Sequence, residues 1–80
     1  MDLRMPSLSG GEGEAVITAW HAREGARITK DQDLFEVATD KATFDVPSPC
    51  DGRLEGIIKK EGSRVIRGEV IARVAADRLT

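Results

Sequence analysis

Residues 24–37 read "EGARITKDQDLFEV", and residues 61–74 read "EGSRVIRGEVIARV". The two stretches align without gaps. Glu24/Glu61, Gly25/Gly62, Arg27/Arg64 and Val37/Val74 are identical, and Ile28/Val65 and Leu34/Ile71 match in kind. Upstream, Ile17/Leu54 and Trp20/Ile57 also correspond in kind. A repeat of this length marks a supersecondary unit that cannot bury its apolar face alone. Two copies are too few for a solenoid. They suit a two-fold pseudosymmetric sandwich in which each half covers the other. Gly25 and Gly62 fall where a tight turn calls for φ > 0.

The runs between the turns are short, and several are rich in Val and Ile, which suits strands. The pattern predicts strands at Ala15–Trp20, Arg27–Ile28, Leu34–Thr39, Ala42–Val46, Gly52–Lys59, Arg64–Val65 and Val70–Val74. No window of helix length carries a sustained 3.6-residue apolar stripe. The expectation is therefore an all-β chain. "SGGEGE" at 9–14 reads as a loop, and the polar "AADRLT" at 75–80 closes the chain, with 76–80 read as a tail or the start of a linker.

Bulk composition narrows the function. Eighty residues fit one domain spanning 1–80, with a core at about 5–75. Forty per cent hydrophobic and 32% charged residues fit a water-soluble globular chain. A net charge of −2 supplies no basic field for nucleic acid. No apolar run approaches the roughly 20 residues needed to cross a bilayer, and no signal-peptide pattern opens the chain. A single cysteine, Cys50, cannot form an internal disulfide.

The stretch "EVATDKATFDV" at 36–46 is nearly a mirror about Asp40-Lys41. Thr39 faces Ala42, Val37 faces Phe44, Glu36 faces Asp45, and Phe35 faces Val46. This reads as a hairpin with a two-residue turn, because Asp accepts tight-turn geometry. Phe35, Val37, Phe44 and Val46 would share the inward face. Glu36 and Asp45 would face each other outward. Symmetry puts the hairpin at one end of the sandwich and both chain termini at the other. An exposed lysine amine is mostly protonated and a weak nucleophile. Schiff-base catalysis would need a buried amine. A tip lysine suits modification by a docking enzyme that delivers an activated acyl group. On the turn alone, a plain solvated lysine is the simpler reading.

The chain resembles the lipoyl domains of dihydrolipoyl acyltransferases, core components of 2-oxo acid dehydrogenase complexes. The match rests on "MPSL" (5–8), Trp20, "EG" (24–25), "LFEVATDKA" (34–42), "VPSPCDG" (46–52), "EG" (61–62) and "GEVIARV" (68–74). The resemblance implies a flattened eight-stranded barrel, or sandwich of two four-stranded antiparallel sheets, with quasi-two-fold symmetry. It implies lipoate in amide linkage on Lys41, with Asp40 and Ala42 as the turn that the lipoate ligase or lipoyl transferase reads. It further implies a non-catalytic carrier of acyl groups and electrons. Its partners would be a 2-oxo acid decarboxylase, the acyltransferase core and dihydrolipoyl dehydrogenase. The expected setting is the cytoplasm or the mitochondrial matrix, with an isolated domain that is monomeric. Pyruvate, 2-oxoglutarate and branched-chain complexes are not distinguished. The sequence departs from the family at Ala38, often Glu, at Asp31-Gln32, often Gly-Asp, and in the loop "SGGEGEA".

Competing functions are weaker. Biotin carriers share the fold, but their turn reads A-M-K-M, and no methionine flanks Lys41. Efflux-adaptor hairpin domains of this fold usually lack the tip lysine. His21 forms no serine–histidine–acid or metal-ligand spacing and reads as a surface strand residue. The acyltransferase histidine motif is absent, and Asp51-Gly52 reads as a turn. Cys50 reads as an incidental thiol and Trp20 as packing. Pro47 and Pro49 are expected to end strand pairing after the hairpin.

Overall fold

A computed structural model of the chain describes residues 1–6 and 14–77. Eight strands run in the order β1 (Asp2–Arg4), β2 (Ala15–Trp20), β3 (Arg27–Ile28), β4 (Asp33–Ala38), β5 (Thr43–Pro47), β6 (Gly52–Ile57), β7 (Arg64–Val65) and β8 (Val70–Ala76). They form two four-stranded sheets, β1-β8-β6-β3 and β5-β4-β2-β7, and every pairing is antiparallel. There is no helix among the described residues. The all-β expectation and the two-sheet architecture hold.

The repeat is visible in the backbone. β2, β3 and β4 correspond in sequence offset to β6, β7 and β8. Register shifts fall between Ile17 and Ala19 in one half and between Leu54 and Gly56 in the other. Gly25 and Gly62 have φ of 87° and 90°, the left-handed values expected of them. Gly68 has φ of 86°, and its counterpart Asp31 adopts 71° without being glycine. Hydrogen bonds recur in pairs. The His21 N–H donates to Leu34 as that of Ile58 does to Ile71. Gly25 N–H reaches the Leu54 carbonyl, and Gly62 N–H reaches that of Ile17.

Alternation puts Ile17, Val37, Leu54 and Val74 between the sheets, and Ile71 joins them where the β1–β8 register shifts between Leu3 and Arg4; all five are fully buried. Leu34 and Phe35 are both buried although adjacent. A bulge between Asp33 and Phe35 lets them share the interior. Trp20 stacks its ring 4.7 Å from that of Phe35, half-buried as expected of a packing residue.

Several boundaries differ from the sequence reading. β1 was not anticipated. β6 stops at Ile57 rather than Lys59, and β8 runs on through Ala76 into the residues read as linker. β5 includes Pro47, paired with Asp33, which corrects the expectation that pairing ends before it. β5 is an edge strand, so a missing N–H on its outer side breaks no ladder bond. Most of the "SGGEGE" loop lies outside the described residues.

The molecule is 41 Å long and about half as wide, 21 by 18 Å. β4 ends, and β2 begins, at the hairpin: Val16 pairs with Ala38. β2 finishes at Trp20, whose indole donates to the Lys59 carbonyl just past β6. β6 begins, and β8 ends, at the far side, where Met1 donates to Val74 and Asp77 to Asp51. The hairpin tip and Met1 with Asp77 therefore occupy opposite ends.

Candidate attachment site

The β4–β5 hairpin has the register read from its mirrored sequence: Phe35↔Val46, Glu36↔Asp45, Val37↔Phe44 and Ala38↔Thr43. Phe35, Val37 and Val46 face the core, and Phe44 is half-buried against it. The side chains of Asp40 and Lys41 thereby stand clear of the sheets.

The turn closes with the Thr39 N–H donating to the Ala42 carbonyl at 2.8 Å. Neither Asp40 nor Lys41 has positive φ. Asp40, the residue whose turn tolerance pointed to this bend, does not brace it among the described hydrogen bonds. Thr39 does so instead: its hydroxyl accepts from the Lys41 and Ala42 amides at 3.3 Å each and donates to the Ala42 carbonyl at 3.2 Å. Asp40, Lys41 and Ala42 are all exposed. Among the described residues, the Lys41 amine has no ion-pair partner. The Lys41 side chain itself is open to solvent. The donor is a single primary amine on a braced turn, the chemistry that an amide-linked prosthetic group requires.

Glu36 and Asp45 face each other outward, as read from the sequence. Each has a partner that the sequence reading missed. Thr18 Oγ1 donates to Glu36 at 2.9 Å, and His21 Nε2 lies 3.3 Å from Asp45. His21 follows β2 and sits over the hairpin rather than standing alone on a strand. These contacts offset the few tenths of a kcal/mol that like charges cost across a ladder.

The second sequence motif, "VPSPCDG", lies at the opposite end and serves the scaffold. Ser48 is buried. Its hydroxyl donates to the Cys50 carbonyl at 2.6 Å, and its backbone bonds both Asp31 and Gln32. The Asp51 carboxylate accepts from the Lys30 amide at 2.7 Å. Gly52 runs so close to the Ala75 carbonyl that a Cβ there would overlap it. Cys50 is a free, half-buried thiol.

A family described as "Biotin-requiring enzyme", the biotin/lipoyl attachment family, has a sequence model that matches residues 1–74. The chain belongs to this family. Curated relatives agree. The dihydrolipoyllysine-residue succinyltransferase component of the 2-oxoglutarate dehydrogenase complex from Cupriavidus necator is 35% identical over 74 residues, 92% of this chain and 18% of the relative. The component of that name from Rickettsia bellii is 42% identical over 67 residues, 84% of this chain and 17% of the relative. The one from Escherichia coli K12 is 30% identical over 74 residues, 92% and 18%. The chain thus spans less than a fifth of the length of these relatives. A solved lipoyl domain of the 2-oxoglutarate dehydrogenase complex from Azotobacter vinelandii superposes with a TM-score of 0.74 at 26% identity. The match covers 92% of this chain and 94% of that one. A biotin/lipoyl attachment domain holds its group covalently, which agrees with an exposed amine at the tip of a hairpin.

Proposed function

We infer that this chain is a lipoyl carrier domain of a 2-oxo acid dehydrogenase acyltransferase, with Lys41 as the attachment residue. One observation carries the reading. An unpaired, exposed lysine stands at the tip of a hydrogen-bonded hairpin, far from the ends where the chain would be tethered to neighbouring domains. The curated relatives favour 2-oxoglutarate over pyruvate or branched-chain 2-oxo acids.

The hairpin presents Nζ to a docking ligase, with Asp40 and Ala42 flanking it for recognition. The amine, once it has lost its proton, attacks the carbonyl carbon of an activated lipoyl donor. The N–C bond forms, the bond to the leaving group breaks, and the lysine charge disappears. When bound, lipoate supplies a dithiolane that takes up acyl groups and electrons. The chain contributes position and reach, and no acid–base chemistry. The decarboxylase, acyltransferase core and dihydrolipoyl dehydrogenase would each visit this end. The cytoplasm, or the mitochondrial matrix in a eukaryote, is the compartment that fits those partners.

Biotin is the second reading, because the family description covers it. The Asp40-Lys41-Ala42 turn lacks the methionines of biotin carriers and favours lipoate. Incubation with lipoate ligase, and separately with biotin ligase, followed by intact mass and peptide mapping, tests both. The expected result is a lipoyl adduct on Lys41, none in Lys41→Ala, and none when Asp40 and Lys41 exchange places. A biotinyl adduct, or an unmodified chain beside a lipoylated control domain, defeats the reading.

A further inference from the structure

The pseudosymmetry pairs Arg27 with Arg64 and Asp77 with Asp40. At the terminal end the pair is closed: the Arg27 guanidinium bonds the Asp77 carboxylate through both nitrogens. At the hairpin end the pair is open. Among the described ion pairs none joins Arg64 to Asp40, and the two residues border one groove of about 410 Å³. Its floor is Val16 and Ala38, and its walls are Glu14, Thr39, Asp40 and Arg64. The strand register explains this floor. Arg64, Val16, Ala38 and Thr43 form one row across β7, β2, β4 and β5, on the outer face of the sheet. Lys41 follows Asp40 directly, so its Cα lies only about 3.8 Å from that of a wall residue.

We propose that this groove is a resting site for the arm carried on Lys41, in its neutral, unacylated state. This rests on the carrier reading above. The volume falls within the range of small-ligand sites, roughly 300–1,000 Å³. The half-buried Val16 and Ala38 suit methylenes and an apolar ring. The mixed charges on the walls suit the amide that joins arm to lysine: its carbonyl accepts from the Arg64 guanidinium, and its N–H donates to Asp40 or Glu14. A short flexible tether holds its cargo at an effective concentration on the order of millimolar. A groove with only millimolar affinity is then about half filled. Free lipoamide would scarcely bind it, yet the tethered arm occupies it about half the time, until a partner enzyme competes for it.

The test uses the 80-residue chain, loaded enzymatically and checked by intact mass, then followed by NMR. Docking predicts shifts of the Val16 and Ala38 methyls and the Arg64 side chain on loading. It also predicts contacts from the dithiolane protons to Val16, and arm relaxation slower than that of a free chain. Arg64→Ala, an exposed change that the fold should accept, is expected to reduce these shifts at least about twofold, since the docked fraction follows affinity. Perturbation confined to Asp40–Ala42 with a freely relaxing arm overturns the resting site, as do shifts unchanged in Arg64→Ala. If the mass shows no adduct, the carrier reading fails and this inference with it. An adduct with a free arm fells the resting site alone.

Discussion

At Asp31 a side chain occupies backbone space that glycine holds elsewhere in the molecule. Its φ of 71° matches Gly68 in the other half, and its N–H still reaches the Ser48 carbonyl at 3.0 Å. Aspartate tolerates this region better than most residues; a β-branched residue does not. Asp31→Val should therefore cost about 1–3 kcal/mol, while Asp31→Gly should be neutral or slightly stabilising. Urea midpoints at constant m-value read this directly. Gly52 makes the opposite demand, for space rather than φ. The overlap of a Cβ with the Ala75 carbonyl makes Gly52→Ala cost about 1–3 kcal/mol or more, because a backbone strand must yield. Glu69 supplies the pH signature. The Lys59 ammonium, 2.8 Å away, and then the Ile66 N–H hold its carboxyl below the ordinary 4.5. A depressed folded value means the pair stabilises fully above 4.5 and fades as pH falls through the folded midpoint. A carbon-detected NMR titration should show Glu69 titrating low, and Lys59→Ala should bring it back toward 4.5.

Among the elements, the hairpin was legible and its brace was not. Mirror placement of apolar residues about Asp40-Lys41 predicts the register, because a one-residue slip would turn Phe35 and Val37 out of the core. Nothing in that mirror says that Thr39 holds the turn, since threonine, aspartate and serine are interchangeable candidates for such bonds. β1 was missed for a related reason. "DLR" is too short to show alternation, and it is a strand only because it pairs with β8 at Leu3↔Ala72. The bulges, the His21–Asp45 contact and the Arg27–Asp77 pair are likewise products of packing between distant segments. One of these did leave a trace in the residues. The repeat continues past Val37 and Val74, as "VATDKAT" (37–43) against "VAADRLT" (74–80), and this extension sets Asp77 opposite Asp40. The brace makes a prediction about loading. Thr39→Ala frees two amides and should shift the tip by about 1 kcal/mol, so lipoylation should slow roughly fivefold. Thr39→Ser keeps the acceptor and should load at the unaltered rate, as followed by mass against time.

For the whole molecule, the two halves are locked by a reciprocal exchange near the pseudo-two-fold axis. The Glu24 carboxylate accepts from the Ile57 amide at 2.7 Å, and the Glu61 carboxylate accepts from the Trp20 amide at 3.0 Å. Each half thus caps the last strand residue of the other. The repeat made a two-fold sandwich legible, but not this exchange, because identity of Glu24 and Glu61 does not reveal which half each one serves. The exchange links the hairpin end to the end that holds Met1 and Asp77, since β2 starts at the hairpin and β6 at the other end. If symmetry governs energetics, Glu24→Ala and Glu61→Ala should destabilise by similar amounts, about 0.5–1.5 kcal/mol each, since water partly replaces the acceptor at these exposed strand-end amides. Hydrogen exchange separates the two sites. Glu61→Ala should lower protection at Trp20 and leave Ile57 protected, and Glu24→Ala should do the reverse. Loss of protection at both amides in either variant would mean that the halves open as one cooperative unit rather than as two capped copies.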